Sequence, residues 1–188
     1  MCSKIYVIIC NMDIIFNPKT IRAIAGLGNP GDEYRDTFHN MGRMFLCHAM
    51  EKTKSPDLSP YKTFAYSKKG KRVFMRPETF MNQSGKGLKE ALLYFKLKPN
   101  QVLLVHDDAD IPLGKMKLSF GRGSAGHKGV ESVISHFKTK DFWRARIGIR
   151  TKQNQKKKAL DIVLSRIGKK EEKELMAVFK NLEDLLLL

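Results

Sequence analysis

The chain has 188 residues, 42% apolar and 29% charged, which suits one domain with a sizeable core and excludes a disordered chain. Lysine and arginine number 35 against 19 acidic residues, a net charge of +16; this fits either a polyanion partner, whose phosphates release counterions on binding, or a basic surface that aids solubility. Cys2, Cys10 and Cys47 form no Cys-x-x-Cys pair, against a disulfide scaffold or cysteine metal site, and the apolar run 5–10 falls well short of the roughly 20 residues that span a bilayer.

Residues 1–20 read as an N-terminal extension of unknown role, with Met12 as an alternative start. From Ile21 to Leu27 an apolar run containing Ile21, Ala23, Ile24 and Ala25 predicts a buried strand ending at a glycine turn. Phe38, Met41, Phe45 and Ala49 recur at helical spacing. Residues 53–60, with two prolines, predict a loop, and Tyr61 to Tyr66 with Arg72 to Met75 predict a hairpin around Lys68-Lys69-Gly70. Leu88, Ala91, Leu92 and Phe95 mark a helix closed by Pro99-Asn100. Gln101 to His106 predicts a central strand that runs out into an acidic turn.

A strand near Lys115 to Phe120, a glycine loop at 121–126 and a helix bearing Val130, Val133, Ile134 and Phe137 follow, then a strand from Trp143 to Ile149. From Lys169, the residues Leu175, Val178, Phe179, Leu182, Leu185 and Leu186 share one helical stripe, and the sequence ends inside that closing helix. Strands alternating with helices predict a single three-layer α/β domain over 21–188, with a twisted mixed, mostly parallel sheet flanked by helices. Ligands of such sheets bind beyond the carboxyl ends of the strands, so the loops 28–40, 107–114 and 121–128 are expected to converge.

Gly26-Leu27-Gly28-Asn29-Pro30-Gly31 has the Gly-x-Gly-x-x-Gly spacing of a dinucleotide site. Such a site also needs a helix opening on the pyrophosphate and an acidic residue about 20 positions on, at a strand end. Glu51 is near that distance, but it ends a helical segment and Lys52 follows it. The nicotinamide or flavin reading is therefore disfavoured, and no cofactor is expected.

His39 is open to two readings: a packed residue at a helix start, or a general base, since neutral imidazole accepts a proton from water near pH 7. Asp107, Asp108 and Asp110 group oxygen ligands that suit Mg²⁺, but Pro112 and Gly114 mark an ordinary turn, and no metal is expected. His48, His106 and His136 read as structural, while His127 is open. Asn82 reads as a helix cap compatible with a cleft role, and Met41, Met44 and Met81 as core packing. Lys115, Lys117, Arg122 and Lys128 surround a glycine loop that opens a helix, an arrangement that either holds phosphate or is merely solvated. Lys156-Lys157-Lys158 reads as a surface loop.

Taken in order, Gly26 to Gly31, Tyr34, Thr37-Phe38-His39-Asn40, Thr79-Phe80-Met81-Asn82 with Ser84-Gly85, His106-Asp107-Asp108, Gly123-Ser124-Ala125-Gly126-His127 and Arg146-Ile147-Gly148-Ile149 resemble the bacterial-type peptidyl-tRNA hydrolases over roughly residues 21 to 168. The resemblance implies a metal-free esterase that cuts the bond between a peptide and the 3′ ribose of tRNA. It implies His39 as the base that activates water and Asp107 as the carboxylate that orients it. Asn29, Asn40 and Asn82 are implied to line the peptide cleft, with Tyr34 and Met81 at its walls, Lys128 beside it and Arg146 in contact with tRNA. Lys115, Lys117 and Arg122 are candidates for the same tRNA face. A soluble, cytoplasmic monomer that grips the tRNA acceptor arm is expected, the alternative being an inactive RNA-binding member of the splicing type.

The chain also departs from the pattern. Lys128 stands where many relatives carry asparagine, Ala125 where glycine is frequent, and Ala109 where some show leucine. Ser119 replaces a lysine that in some relatives clamps the tRNA 5′ phosphate together with the arginine matching Arg146.

Overall fold

The computed structural model describes residues 15–188. Cys2, Cys10, Met12 and the rest of 1–14 lie outside the described residues. The strands are β1 (Ala23–Gly26), β2 (Ser59–Tyr61), β3 (Phe64–Lys69), β4 (Arg72–Pro77), β5 (Val102–Pro112), β6 (Met116–Phe120) and β7 (Trp143–Arg150). They form one sheet in the order β2-β3-β4-β1-β5-β7-β6. The pairs β4–β1, β1–β5 and β5–β7 are parallel, while β2–β3, β3–β4 and β6–β7 are antiparallel. The parallel centre is the part buried on both faces, as its near-continuous apolar strands require.

Successive strand side chains point to opposite faces, and here they feed two cores. Ile24, Leu103, Val105, Ala145 and Ile147 pack with Phe45 and Leu46 of α1 (Met41–Thr53) and with Leu175, Phe179 and Leu182. Ala23, Ala25, Val102 and Leu104 pack instead with Leu88 and Ala91 of α2 (Ser84–Phe95) and with Val130 and Val133 of α3 (Lys128–Phe137). A short α4 (Ala159–Val163) precedes the long α5 (Lys169–Leu186), which supplies the Leu175–Leu182 stripe. The rings of Phe45 and Phe179 meet edge-on at 5.5 Å, tying α1 to α5. Each fully buried valine, leucine, isoleucine or phenylalanine among these stabilises the fold by about 1.5–3 kcal/mol. The three-layer α/β reading therefore holds.

The glycine hexapeptide serves packing. A Cβ on Gly42 would lie 2.3 Å from both Leu27 N and Val105 O, and one on Gly26 would lie 2.2 Å from Gly42 O. The absent side chains let α1 press against β1 and β5. Gly31, at φ +102°, takes a backbone shape few other residues tolerate. The chain after β1 makes 3₁₀ turns at Asp32–Tyr34 and Phe38–Asn40 before α1 starts, so no helix opens directly on the glycines.

Two local expectations change. The predicted loop 53–60 contributes the edge strand β2, which pairs with β3 from Ser59 to Tyr61. The acidic segment after His106 is strand rather than turn: β5 continues to Pro112, alongside β7 through Asp108–Gly148, before a register shift and a turn at Gly114. Parallel pairing with β7 outweighs the poor strand preference of aspartate.

Candidate active site

His39, Asp107 and His127 come from three separate elements. His39 sits in the turn Phe38–Asn40, which is pinned from outside by the bonds Phe38 N to Ser165 O and Ile167 N to Asp36 O. Asp107 lies near the carboxyl end of the apolar part of β5, only 1% exposed. His127 is the N-cap of α3. The converging loops bring His39 Nδ1 to 3.1 and 3.2 Å from the two Asp107 oxygens, and His127 Nε2 to 3.1 Å from Oδ1.

The partners define the tautomers. His127 Nδ1 accepts from the backbone N–H groups of Gly129 and Val130, at 3.1 and 3.3 Å. Its ring proton therefore sits on Nε2 and is donated to Asp107. Ionised Asp107 can only accept, so the neutral His39 ring carries its proton on Nδ1, donates to the carboxylate, and leaves Nε2 as a free lone pair. Burial alone pushes the Asp107 carboxyl up. The attraction and hydrogen bond from His127, with those from His39, outweigh burial and hold it far below the usual carboxylate range.

These three side chains are the grouping with metal-donor spacing among the described residues, their ligand atoms lying within 4.8 Å of one another. Both imidazole protons already have Asp107 as acceptor, so the cluster is mutually satisfied without a cation. Asp108 and Asp110 do not join it as a carboxylate set: Asp108 accepts from Arg146 Nε at 2.7 Å and from Asp110 N at 2.9 Å.

A cavity of about 390 Å³ opens over the cluster. His39, Asp107, Asp108 and His127 line one side, the loop Ser124–Lys128 another, and Ala159, Leu160 and Val163 of α4 a third. Lys128 is on this rim, paired with Glu131 at 3.0 Å. Beside it, Asn29 and Asn40 lock together: Asn29 N donates to Asn40 Oδ1 at 2.7 Å, and Asn40 Nδ2 donates to Asn29 O at 3.0 Å. Asn29 Oδ1 accepts from Met81 N at 2.8 Å. Asn40 thus spends both ends of its amide on shaping the loop, while Asn29 keeps its Nδ2 uncommitted. Met81 is buried, Tyr34 half-buried and Asn82 exposed. Asn82 is not the α2 cap, because it lies in the turn Met81–Gln83 and the N-cap position is Gln83.

The basic residues gather on β6 and β7. Lys117 faces Arg146 and Ser119 faces Arg144 across the antiparallel pair, which places all four on one sheet face. Lys117, Arg122, Ser119 and Arg146 line a second hollow of about 310 Å³. Beneath it Arg144, 2% exposed, donates Nη1 to Gly123 O, while Nε and Nη2 lack partners. Burial and the repulsion of Arg146 push its guanidinium down to about 10, so it stays charged at neutral pH. Lys115 is exposed at the β5–β6 turn and does not line this hollow. The α3 N-terminus is not an open phosphate cradle, since His127 occupies two of its N–H groups.

The other histidines hold structure. His106 is buried, donates Nδ1 to Asp107 O at 2.7 Å, and burial drives it well below the usual imidazole range, so it is neutral. His48 pairs with Glu183 between α1 and α5 at 3.5 Å, and His136 bonds Ser132 O at 2.9 Å. The sequence left His127 undecided and α4 unnoticed. A cap at His127 was readable from the helical pattern that follows it, whereas its reach to Asp107 depends on the β5–α3 packing.

The sequence model described as peptidyl-tRNA hydrolase matches residues 23–188. The peptidyl-tRNA hydrolase of Marinobacter nauticus is 39% identical over 162 residues, 83% of this chain and 82% of that protein. That of Lactobacillus johnsonii is 36% identical over 170 residues, 88% and 91% of the two chains. Among solved structures, the peptidyl-tRNA hydrolase of Acinetobacter baumannii superposes with a TM-score of 0.81 at 26% identity, over 90% of this chain and 88% of that one.

Proposed function

The chain belongs to the peptidyl-tRNA hydrolase family, and from that membership we propose how its cleft cuts the ester between a peptide and the 3′ ribose of tRNA. It is a hydrolase with peptidyl-tRNA as substrate. The observation that carries the mechanism is the contact of His39 Nδ1 with both Asp107 oxygens at 3.1 and 3.2 Å. With Nδ1–H so engaged, Nε2 takes a proton from water as the water oxygen attacks the ester carbonyl. The imidazolium that forms is stabilised by buried Asp107, the logic of hydrolytic triads. The tetrahedral intermediate then collapses, the C–O bond to the ribose breaks, and the ribose oxygen recovers the proton from His39. An ester leaving group needs no covalent nucleophile.

In this reading Asn29, whose Nδ2 is uncommitted, and the exposed Asn82 amide bond the peptide backbone, and Lys128 holds a substrate carbonyl. Recognition of the amide next to the ester separates peptidyl-tRNA from aminoacyl-tRNA, whose free ammonium lacks it. Lys117, Arg122 and Arg146, with Lys115 at the margin, receive the phosphates of the acceptor arm. A monomer working in the cytoplasm, where translation takes place, is part of this reading; no helix among the described residues is long and apolar enough to cross a membrane. An inactive RNA-binding role is not favoured, because such a protein has no use for an oriented base.

The test is His39→Ala assayed on N-blocked aminoacyl-tRNA in the presence of chelator. A positioned base contributes about 10²–10⁴-fold, so turnover should fall by that factor while tRNA affinity persists. Undiminished turnover would reject His39 as the base.

A further inference from the structure

We propose that His127 is a positioning residue of the hydrolytic site, fixing the Asp107 carboxylate in the orientation from which it serves His39. This rests on the reading of His39 as the base. A buried carboxylate with a single N–H donor can turn about its Cβ–Cγ bond. Asp107 has two donors, 3.1 Å from the same oxygen, held by different elements. The second donor is anchored by backbone: the α3 N–H groups of Gly129 and Val130 grip Nδ1 and fix both the ring and its tautomer. His127 therefore transmits the position of a helix end to the carboxylate that orients His39. Its ring stands 5.0 Å from that of His39, centroid to centroid, and in the proposed reaction it takes no part in proton transfer, since its ring proton goes to Asp107 and Nδ1 is held by the α3 backbone.

Sharing also moderates the carboxylate. Each N–H donor withdraws some of the negative charge available to the other, so losing His127 strengthens the hold of Asp107 on the charged form of His39. The other ionisable groups around Asp107 are His106, whose ring packs on His127 at 4.7 Å, the Asp108–Arg146 pair, Asp110 and Lys128. None of these places a side-chain atom in hydrogen-bond contact with the Asp107 carboxylate among the described residues.

Two substitutions separate the two jobs of the ring. In His127→Asn the amide oxygen can replace Nδ1 as the α3 cap, but nothing reaches Asp107. In His127→Gln the amide nitrogen can replace Nε2 as the donor, at the expense of the cap. For His127→Asn we expect kcat on N-blocked aminoacyl-tRNA to fall about 10–100-fold, by analogy with the loss of a partner that orients a metal ligand. KM should change little, Tm should hold, and the acid limb of the kcat profile should move to higher pH. His127→Gln should keep more of kcat and lose Tm. Nitrogen-15 NMR of the wild type should find the proton of His127 on Nε2, a readout independent of activity and of variant folding.

A wild-type kcat and an unmoved acid limb in His127→Asn would overturn the proposal, as would a proton on Nδ1. Loss of kcat in His127→Gln with none in His127→Asn would leave a helix cap alone, and equal loss in both variants without a pH shift would also overturn the proposal. If His39→Ala keeps full turnover, the base assignment itself has failed. If His39→Ala collapses and His127→Asn does not, only the role of His127 has failed.

Discussion

Replacing Asp107 with asparagine removes a charge with almost no change of volume, at a position 1% exposed. Oδ1 accepts from both His39 and His127, whereas Oδ2 faces His39 alone at 3.2 Å. His127 is held by the α3 backbone as an Nε2 donor, so it selects the amide orientation with oxygen at Oδ1 and NH₂ at Oδ2. That NH₂ then opposes the Nδ1–H of His39 at 3.2 Å, donor against donor, and leaves it only the Oδ1 already engaged by His127, at 3.1 Å. Moving the imidazole proton to Nε2 turns that repulsion into an NH₂-to-Nδ1 hydrogen bond, which favours the tautomer whose lone pair faces away from water. A base in the wrong tautomer is disabled rather than weakened, so the loss should approach the whole contribution of general base catalysis, about 10²–10⁴-fold or ~3–5 kcal/mol. The assay is single-turnover hydrolysis of N-blocked aminoacyl-tRNA, beside tRNA affinity, which a buried residue should leave intact. A turnover within about threefold of wild type would refute the tautomer argument, because ~0.7 kcal/mol is far below the cost of a misplaced proton.

Three further outcomes concern the basic face, the α1 packing and acid stability. Arg146→Ala should weaken tRNA binding at all sequences and lower the salt slope by about 1, measured by binding across a salt series; an unchanged slope would remove Arg146 from the phosphate contacts. Gly42→Ala should destabilise by at least about 1–3 kcal/mol in urea melts, since its Cβ would meet backbone atoms of Leu27 and Val105 at 2.3 Å, neither of which is a flexible side chain. Because Asp107 is held below its ordinary range when folded, the unfolded chain takes up a proton near pH 4 that the folded chain refuses. The stabilisation is complete above about pH 5 and is lost as the pH falls through the folded value. Asp107→Asn should therefore flatten the acid loss of stability seen in wild-type urea melts between about pH 5 and 3.

Some of the site was legible because its signals are local. Spacing alone marked the buried run of β1, the face of α1 and the stripe of α5. The order of the glycine, His39-Asn40 and His106-Asp107 segments carried the family resemblance. Other features escaped for reasons of distance. Asn40 read as a cleft residue, yet its amide is consumed by the backbone of Asn29, a contact across 11 residues. Asp108 read as a metal-ligand candidate, yet a guanidinium 38 residues on neutralises it. The acidic stretch read as turn, but its conformation is set by β7, its parallel neighbour.

Chain chemistry alone determined the alternating α/β layers, the excess of positive charge and the presence of an imidazole and a carboxylate suited to proton transfer, because periodicity and side-chain ionisation belong to short segments. Tertiary structure decided which nitrogen of each ring holds the proton, which acid is bound to which base, and what the glycines are for. Those depend on groups tens of residues apart meeting within about 3 Å, and hydrogen-bond energy falls off too steeply with distance for any local pattern to specify it.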